Sequence, residues 1–165
     1  MERDLESKTI VFGSDHAGLM LKKALMDHLG PDWNKLDVGP LEYKSCDYPQ
    51  YAAKVCSLVL VHGCPGILIC GSGIGMSMAA NRFQGIRAAL CANEYMARMS
   101  RMHNNANILC MGERVIGVDL AKSIMDVFLQ SSFEGGRHQK RVELLEELGK
   151  EPLPGTAGQD QNKRS

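Results

Sequence analysis

The densest chemical signal in the chain is Cys70-Gly71-Ser72-Gly73-Ile74-Gly75, a thiol beside three glycines, directly after the apolar run Ile67-Leu68-Ile69. Glycines let the backbone turn tightly and bring several N–H groups to one bound atom, at a helix N-terminus that favours negative charge. A thiol in that position gains thiolate character and can serve as nucleophile or general base. Three familiar loops fail against it. The dinucleotide fingerprint lacks its third glycine at Met76, and no Gly-Lys-Ser/Thr follows to make a Walker loop. Met76 also stands where a tyrosine-phosphatase loop needs the Arg that clamps its phosphoryl group. The bland alternative is a glycine turn required only for close strand-to-helix packing.

Three further clusters carry polar chemistry. Ser14-Asp15-His16-Ala17-Gly18 ends the first β-branched run; Asp15 could bind a ligand or merely cap the following helix, and His16 could be a ligand or a surface residue. Arg101-Met102-His103-Asn104-Asn105-Ala106-Asn107 makes either a hydrogen-bonded turn or an imidazole with amide neighbours able to protonate a sugar oxygen. Arg137-His138-Gln139-Lys140-Arg141 opens the last helix while Glu143, Glu146 and Glu147 come later, the reverse of what the helix dipole prefers. Arg137 and Arg141, four apart on one face, repel by about 0.2–0.5 kcal/mol. An anion between them would remove both penalties, with Arg114 as a third arm; ion pairs to a partner chain are the alternative. Met96, Met99 and Met102 recur every third residue and read as a packed helix face. His28 and His62 have no neighbouring ligand set, so no metal is expected. The six cysteines contain no Cys-x-x-Cys pair, and most of them read as buried free thiols.

The elements that position these residues alternate. Lys8–Ser14 reads as a strand and 17–29 as a helix, followed by a weaker strand at 35–38 and a helix at 50–61. Gly66–Cys70, 85–91 and 107–111 read as three more strands, with helices starting at Ile74 and Glu94 and spanning 118–129 and 136–148. Five strands joined by helices imply a parallel sheet covered on both faces, an α/β three-layer Rossmann-like sandwich. Its strand C-terminal edge is the expected ligand side. At 165 residues the chain fits one domain, placed at 1–149, with a Pro/Gly-rich, poorly ordered tail at 150–165. Nineteen basic residues balance nineteen acidic ones, which argues against a general nucleic-acid binder. An apolar content of 44 % with 23 % charged residues excludes a disordered chain. No apolar run approaches the ~20 residues of a membrane span, and the first residues lack a signal-peptide core. A soluble protein of a reducing, cytoplasmic compartment is expected.

With these residues in hand, the chain resembles the type B ribose-5-phosphate isomerases, a family that also includes galactose-6-phosphate and allose-6-phosphate isomerases. The resemblance runs from about Thr9 to Leu148 and rests on Ser14-Asp15-His16-Ala17-Gly18, Asp47-Tyr48-Pro49, Cys70 through Ser77, His103-Asn104, Gly112-Glu113-Arg114 and Arg137-His138 with Arg141. It implies a Rossmann-like homodimer with active sites shared between subunits, the step to a tetramer being left open. It also implies aldose–ketose isomerisation of a sugar phosphate without metal or cofactor, in the non-oxidative pentose phosphate pathway. By position, Cys70 would be the catalytic base and His103 the acid that opens the furanose ring. Asp15, His16, Tyr48, Gly71, Ser72, Gly73, Ile74, Gly75, Asn104 and His138 would line the sugar site, while Arg114, Arg137 and Arg141 take the phosphate. Asn105 departs from the family, whose members commonly carry Asp there.

The chemistry of the residues agrees with that implication. Interconverting an aldose and a ketose means removing a proton beside a carbonyl and stabilising the enediolate, and each well-aimed amide donor is typically worth about 2.7–4 kcal/mol. Two other classes stay open at this point: a cysteine-dependent hydrolase or phosphatase, and a non-catalytic sugar-phosphate-binding module. Five-carbon and six-carbon substrates are equally compatible with the pattern.

Overall fold

The computed structural model describes residues 8–148 and 150; the tail expected beyond Lys150 lies outside the described residues. The elements follow in chain order as β1 (Lys8–Ser14), a 3-10 turn (His16–Gly18), α1 (Leu19–His28), β2 (Trp33–Asp37), α2 (Tyr48–His62), β3 (Gly66–Cys70), α3 (Ile74–Ala80), β4 (Ala88–Leu90), α4 (Glu94–Met102), β5 (Ile108–Gly112), α5 (Val118–Gln130) and α6 (Arg137–Glu147). The five strands form one all-parallel sheet in the order β2-β1-β3-β5-β4.

Strand side chains alternate strictly between two apolar layers, as the pleat requires. Ile10, Phe12, Ile67, Ile69, Leu109 and Met111 face α1, α4 and α5 through Leu21, Leu25, Ala97, Ile124 and Phe128. Val11, Leu68, Cys70, Ile108 and Cys110 face α2 and α3 through Ala52, Val55, Val59, Met76 and Ala80. Central strands β3 and β5 are buried at every position, whereas the edge strands β2 and β4 are half-buried. The three-layer expectation therefore holds, and its centre is the β1-β3-β5 core.

Several boundaries moved for local reasons. The first helix begins at Leu19, because Asp15 Oδ1 accepts the amides of Ala17 and Gly18 and winds 16–18 into a 3-10 turn. The second begins at Tyr48, with Pro49 in its first turn where a missing N–H costs nothing. The fourth strand shrinks to three residues because the chain is still turning at Gly85, whose φ is +81°, and the Ile86 amide bonds back to Phe83.

The methionine stripe is corrected. Met96 is 41 % exposed and Met99 and Met102 are half-buried, while the residues α4 buries are Ala97 and Ser100. The helix lies close against α5, and the small residues occupy that contact.

Among the described residues no helix is long and apolar enough to cross a membrane.

Candidate active site

The sheet order reverses between β1 and β3: from β1 the chain winds outward to β2, then returns to β3 on the other side. Doubly wound folds bind ligands in the crevice at such a switch point, beyond the strand C-termini. Both chemistry-bearing loops open there. The Asp15 amide donates to Ile69 O at 3.1 Å, which ties the Ser14–Gly18 turn to the end of β3. The amides of Glu113 and Arg114 donate to Cys70 O and Gly71 O, each at 3.0 Å, bringing Arg114 alongside the glycine loop. Tyr48 comes from the start of α2, and its ring lies so close to Gly75 that a methyl there would approach it to 2.8 Å.

Cys70 is buried at the loop's mouth, 5 % exposed, and its Sγ accepts the Gly73 amide at 3.1 Å. That donor faces the sulfur as it would a thiolate. Gly73 can aim it because its φ is +77°, a left-handed conformation favourable only without a side chain. The Ile74 amide is held by Ser72 Oγ at 3.3 Å. The amides of Gly71, Ser72 and Gly75 have no acceptor among the described residues and remain available to an anion. Not all five expected loop donors are therefore free: two already serve the loop itself.

Asp15 is buried and caps its own turn through Oδ1. His16 is half-buried; its Nδ1 accepts the Cys46 amide at 3.3 Å, and its ring meets Tyr43 edge-on. With Nδ1 accepting, Nε2 carries the proton and is the donor offered to a ligand. All six cysteines are free. Burial pushes the Cys56 thiol up to about 12 and the Cys91 thiol up to about 11, and also lifts Cys110 well above the ordinary thiol value; these side chains are inert packing.

The remaining predicted residues form a second group, on the opposite edge of the sheet. His103 is the C-cap of α4, which descends from the end of β4 to the beginning of β5. Cys70 pairs with Gly112 and Gly66 with Ile108, so His103, Asn104 and Asn105 precede a strand whose far end is level with Cys70. Four residue rises separate those levels, about 13 Å. His138, 5 % exposed at the start of α6, stacks on His103 with ring centroids 4.1 Å apart and planes 8° from parallel. Arg137 donates through Nε to His138 Nε2 at 3.4 Å. Arg137 and Arg141 are exposed, and neither meets a carboxylate among the described residues. Burial, then His103 and Arg137, push the His138 pKa below the ordinary histidine value. Asn105 has φ +48°, which Asn tolerates much as Asp does, so the departure from the family is met by backbone conformation. The expectation of one three-armed phosphate cluster on one edge is thus corrected for the single chain: Arg114 stands with Cys70, and Arg137 and Arg141 stand with His103.

Sequence inspection missed three contributors. Lys22 is fully buried, its Nζ bonded to Asp37 Oδ1 at 2.6 Å and Pro40 O at 2.8 Å, anchoring the loop that carries Cys46 to His16. Glu113 accepts the Leu21 amide at 2.9 Å and so caps α1. Glu134 brings one carboxylate oxygen close to the Nε2 of both stacked histidines. His28, for which no partner was foreseen, pairs with Asp126 at 2.9 Å.

Comparison with known proteins adds the following. The family model described as Ribose/Galactose Isomerase matches residues 10–145. Ribose-5-phosphate isomerase B of Escherichia coli K12 is 47 % identical over 142 residues, covering 84 % of this chain and 94 % of that protein. The solved ribose-5-phosphate isomerase B of Clostridium thermocellum is 50 % identical with a TM-score of 0.82, covering 84 % of this chain and 95 % of that one. The Mycoplasma genitalium enzyme, solved with bound ribulose-5-phosphate, is 41 % identical with a TM-score of 0.84, covering 88 % of this chain and 99 % of that one.

Proposed function

Since the chain belongs to the ribose/galactose isomerase family, we propose that it interconverts ribose 5-phosphate and ribulose 5-phosphate through an enediolate, without metal or cofactor. The observation that carries this is Cys70 in the switch-point crevice, its sulfur facing the Gly73 amide and the unengaged Gly71, Ser72 and Gly75 amides beside it. Cys70 removes the carbon-2 proton of the open-chain aldose and returns it to carbon 1, and the amides hold the developing oxyanion. Asp15, His16, Tyr48 and Arg114 orient the sugar from the same side.

The active unit in this proposal is a homodimer in which each site takes His103, Asn104, Arg137, His138 and Arg141 from the partner. Two observations support it. The two groups of residues lie on opposite sheet edges within one chain, too far apart for one small sugar phosphate. The edge carrying Cys70 is also rimmed by exposed Ile74, Met78, Tyr95, Met96, Val115 and Val118, a patch of the kind that subunit contacts cover. His103 then opens the ring, and the arginines hold the phosphate far from the reacting carbons, fixing the sugar so that one thiolate serves both. We place this activity in a single domain spanning 1–149 and in the cytoplasm, within the non-oxidative pentose phosphate pathway.

NMR of ribose 5-phosphate with the protein in deuterated water tests the proposal. Ribulose 5-phosphate should accumulate with deuterium on carbon, and Cys70→Ala should lose this while still binding the sugar phosphate. Near-normal turnover by Cys70→Ala, release of inorganic phosphate, or binding without carbon exchange would each overturn it.

A further inference from the structure

Glu134 belongs to none of the motifs discussed above. It sits between α5 and α6, and its amide donates to Met102 O at 3.1 Å, pinning that loop to the C-terminal end of α4. Its Oε2 is 3.5 Å from His138 Nε2 and 3.8 Å from His103 Nε2, under the stacked imidazoles. Two histidines and a carboxylate within 4.8 Å of one another have the composition of a divalent-metal site. Two features oppose that use. Arg137 Nε–H already occupies the His138 Nε2 lone pair, and parallel rings aim their nitrogens side by side rather than at a common centre. The cluster is better suited to holding a proton.

From α6, His103 meets the stacked His138, to which Arg137 donates and near which Arg141 stands; on its own helix stands Arg101, which bonds to backbone oxygens of Ala106 and Ser131 and lies over Phe128. From the α5–α6 loop His103 faces Glu134. His138 accepts from Arg137, so its Nε2 is unprotonated and it is the neutral member of the stack. Glu134 is then the one carboxylate among the described residues that forms an ion-pair contact with His103.

We infer that Glu134 is a positioning residue for ring opening: its carboxylate, beside His103 Nε2, orients that imidazole toward the furanose ring oxygen. In that step the carbon-1 to ring-oxygen bond breaks, the ring oxygen takes the His103 proton, and the anomeric hydroxyl loses its proton to water as the aldehyde forms. His103 then regains a proton from solvent. The inference rests on the isomerase function proposed above and deepens it.

Ribulose 5-phosphate provides the discriminating substrate. Its 5-oxygen is phosphorylated, so it has no hydroxyl with which to close a five-membered ring and is already open. Exchange of its carbon-1 protons needs the base and the oxyanion donors but no ring-opening acid. Glu134→Gln should therefore lower kcat/KM on ribose 5-phosphate about fivefold at pH 8, the worth of one half-exposed ion pair. Deuterium uptake at carbon 1 of ribulose 5-phosphate should change by less than about twofold, since no proton donor is needed there. Glu134→Asp, which keeps the charge, should recover most of the loss. Equal losses on both substrates, or no loss on either, would overturn the inference. A wild-type protein that neither converts nor exchanges either sugar would overturn the isomerase function, and the inference with it, and is recognised before any variant is made.

Discussion

Five of the six cysteines are buried, and Cys70 is the one among the described residues whose sulfur accepts the amide of another residue, Gly73. The same selectivity separates the histidines. His16 is fixed as an Nε2 donor by the Cys46 amide, and His138 is held neutral by burial, His103 and Arg137. That second effect has a definite sign in stability. A histidine whose pKa is lowered on folding contributes stability that is fully present above its unfolded value of about 6.5 and is lost as pH falls toward its folded value. Wild-type protein should thus lose urea resistance between pH 7.5 and 5.5, and His138→Gln, which cannot titrate, should show a flatter profile. Equal slopes for the two proteins would remove His138 as the cause. Phosphate bound beside Arg137 would offset the guanidinium charge, so ligand should lessen the loss.

At the scale of elements, the β3–α3 turn does two separable things. Gly73 adopts φ +77°, and a methyl there would come within 2.5 Å of Leu90 and 2.8 Å of the Met111 carbonyl carbon. Gly75 is an ordinary helical residue whose methyl would first meet the Tyr48 ring, itself 37 % exposed and able to swing away. Gly73→Ala should therefore cost about 1–3 kcal/mol of stability from backbone strain alone and abolish turnover, because the donor to Cys70 moves. Gly75→Ala should leave the thermal midpoint within a few degrees, since alanine is the better helix former by about 1 kcal/mol, but raise KM by displacing Tyr48. Thermal melts and steady-state kinetics on the pair separate the two roles. The turn was legible in the sequence because its glycines, thiol and flanking apolar run are contiguous. The strands β3 and β5 were legible to within a residue for the same reason: fully buried parallel strands are unbroken apolar runs. Edge strand β4 is shorter than 85–91 because the backbone is still turning at Gly85, and α2 starts at Tyr48, ahead of 50, because its first turn accepts Pro49. Lys22 and Glu134 were invisible, since a buried Lys and a loop Glu acquire meaning only from partners distant in the chain.

On the scale of the whole molecule, the edge on which His103 sits was also implicit in the sequence. A helix joining parallel strands must return the chain to the strand N-termini, and His103 lies after such a helix and before β5. Zero net charge therefore conceals two basic positions, Arg114 at one edge and Arg137 with Arg141 at the other. If a site is completed across a two-fold axis, its halves can be inactivated on different chains. Cys70→Ala and His103→Ala homodimers should each be inactive on ribose 5-phosphate. In a refolded equimolar mixture half the dimers are mixed, and each mixed dimer holds one site with both side chains intact and one with neither. Activity should recover to about one quarter of wild type for a random two-fold assembly. Size-exclusion chromatography with light scattering should show dimers before and after mixing, so that recovery tracks exchange of subunits and not of fold. A mixture no more active than its components, with exchange shown by mass-tagged chains, would mean that Cys70 and His103 never meet across a subunit boundary. The exposed apolar rim around Cys70 would then need another partner.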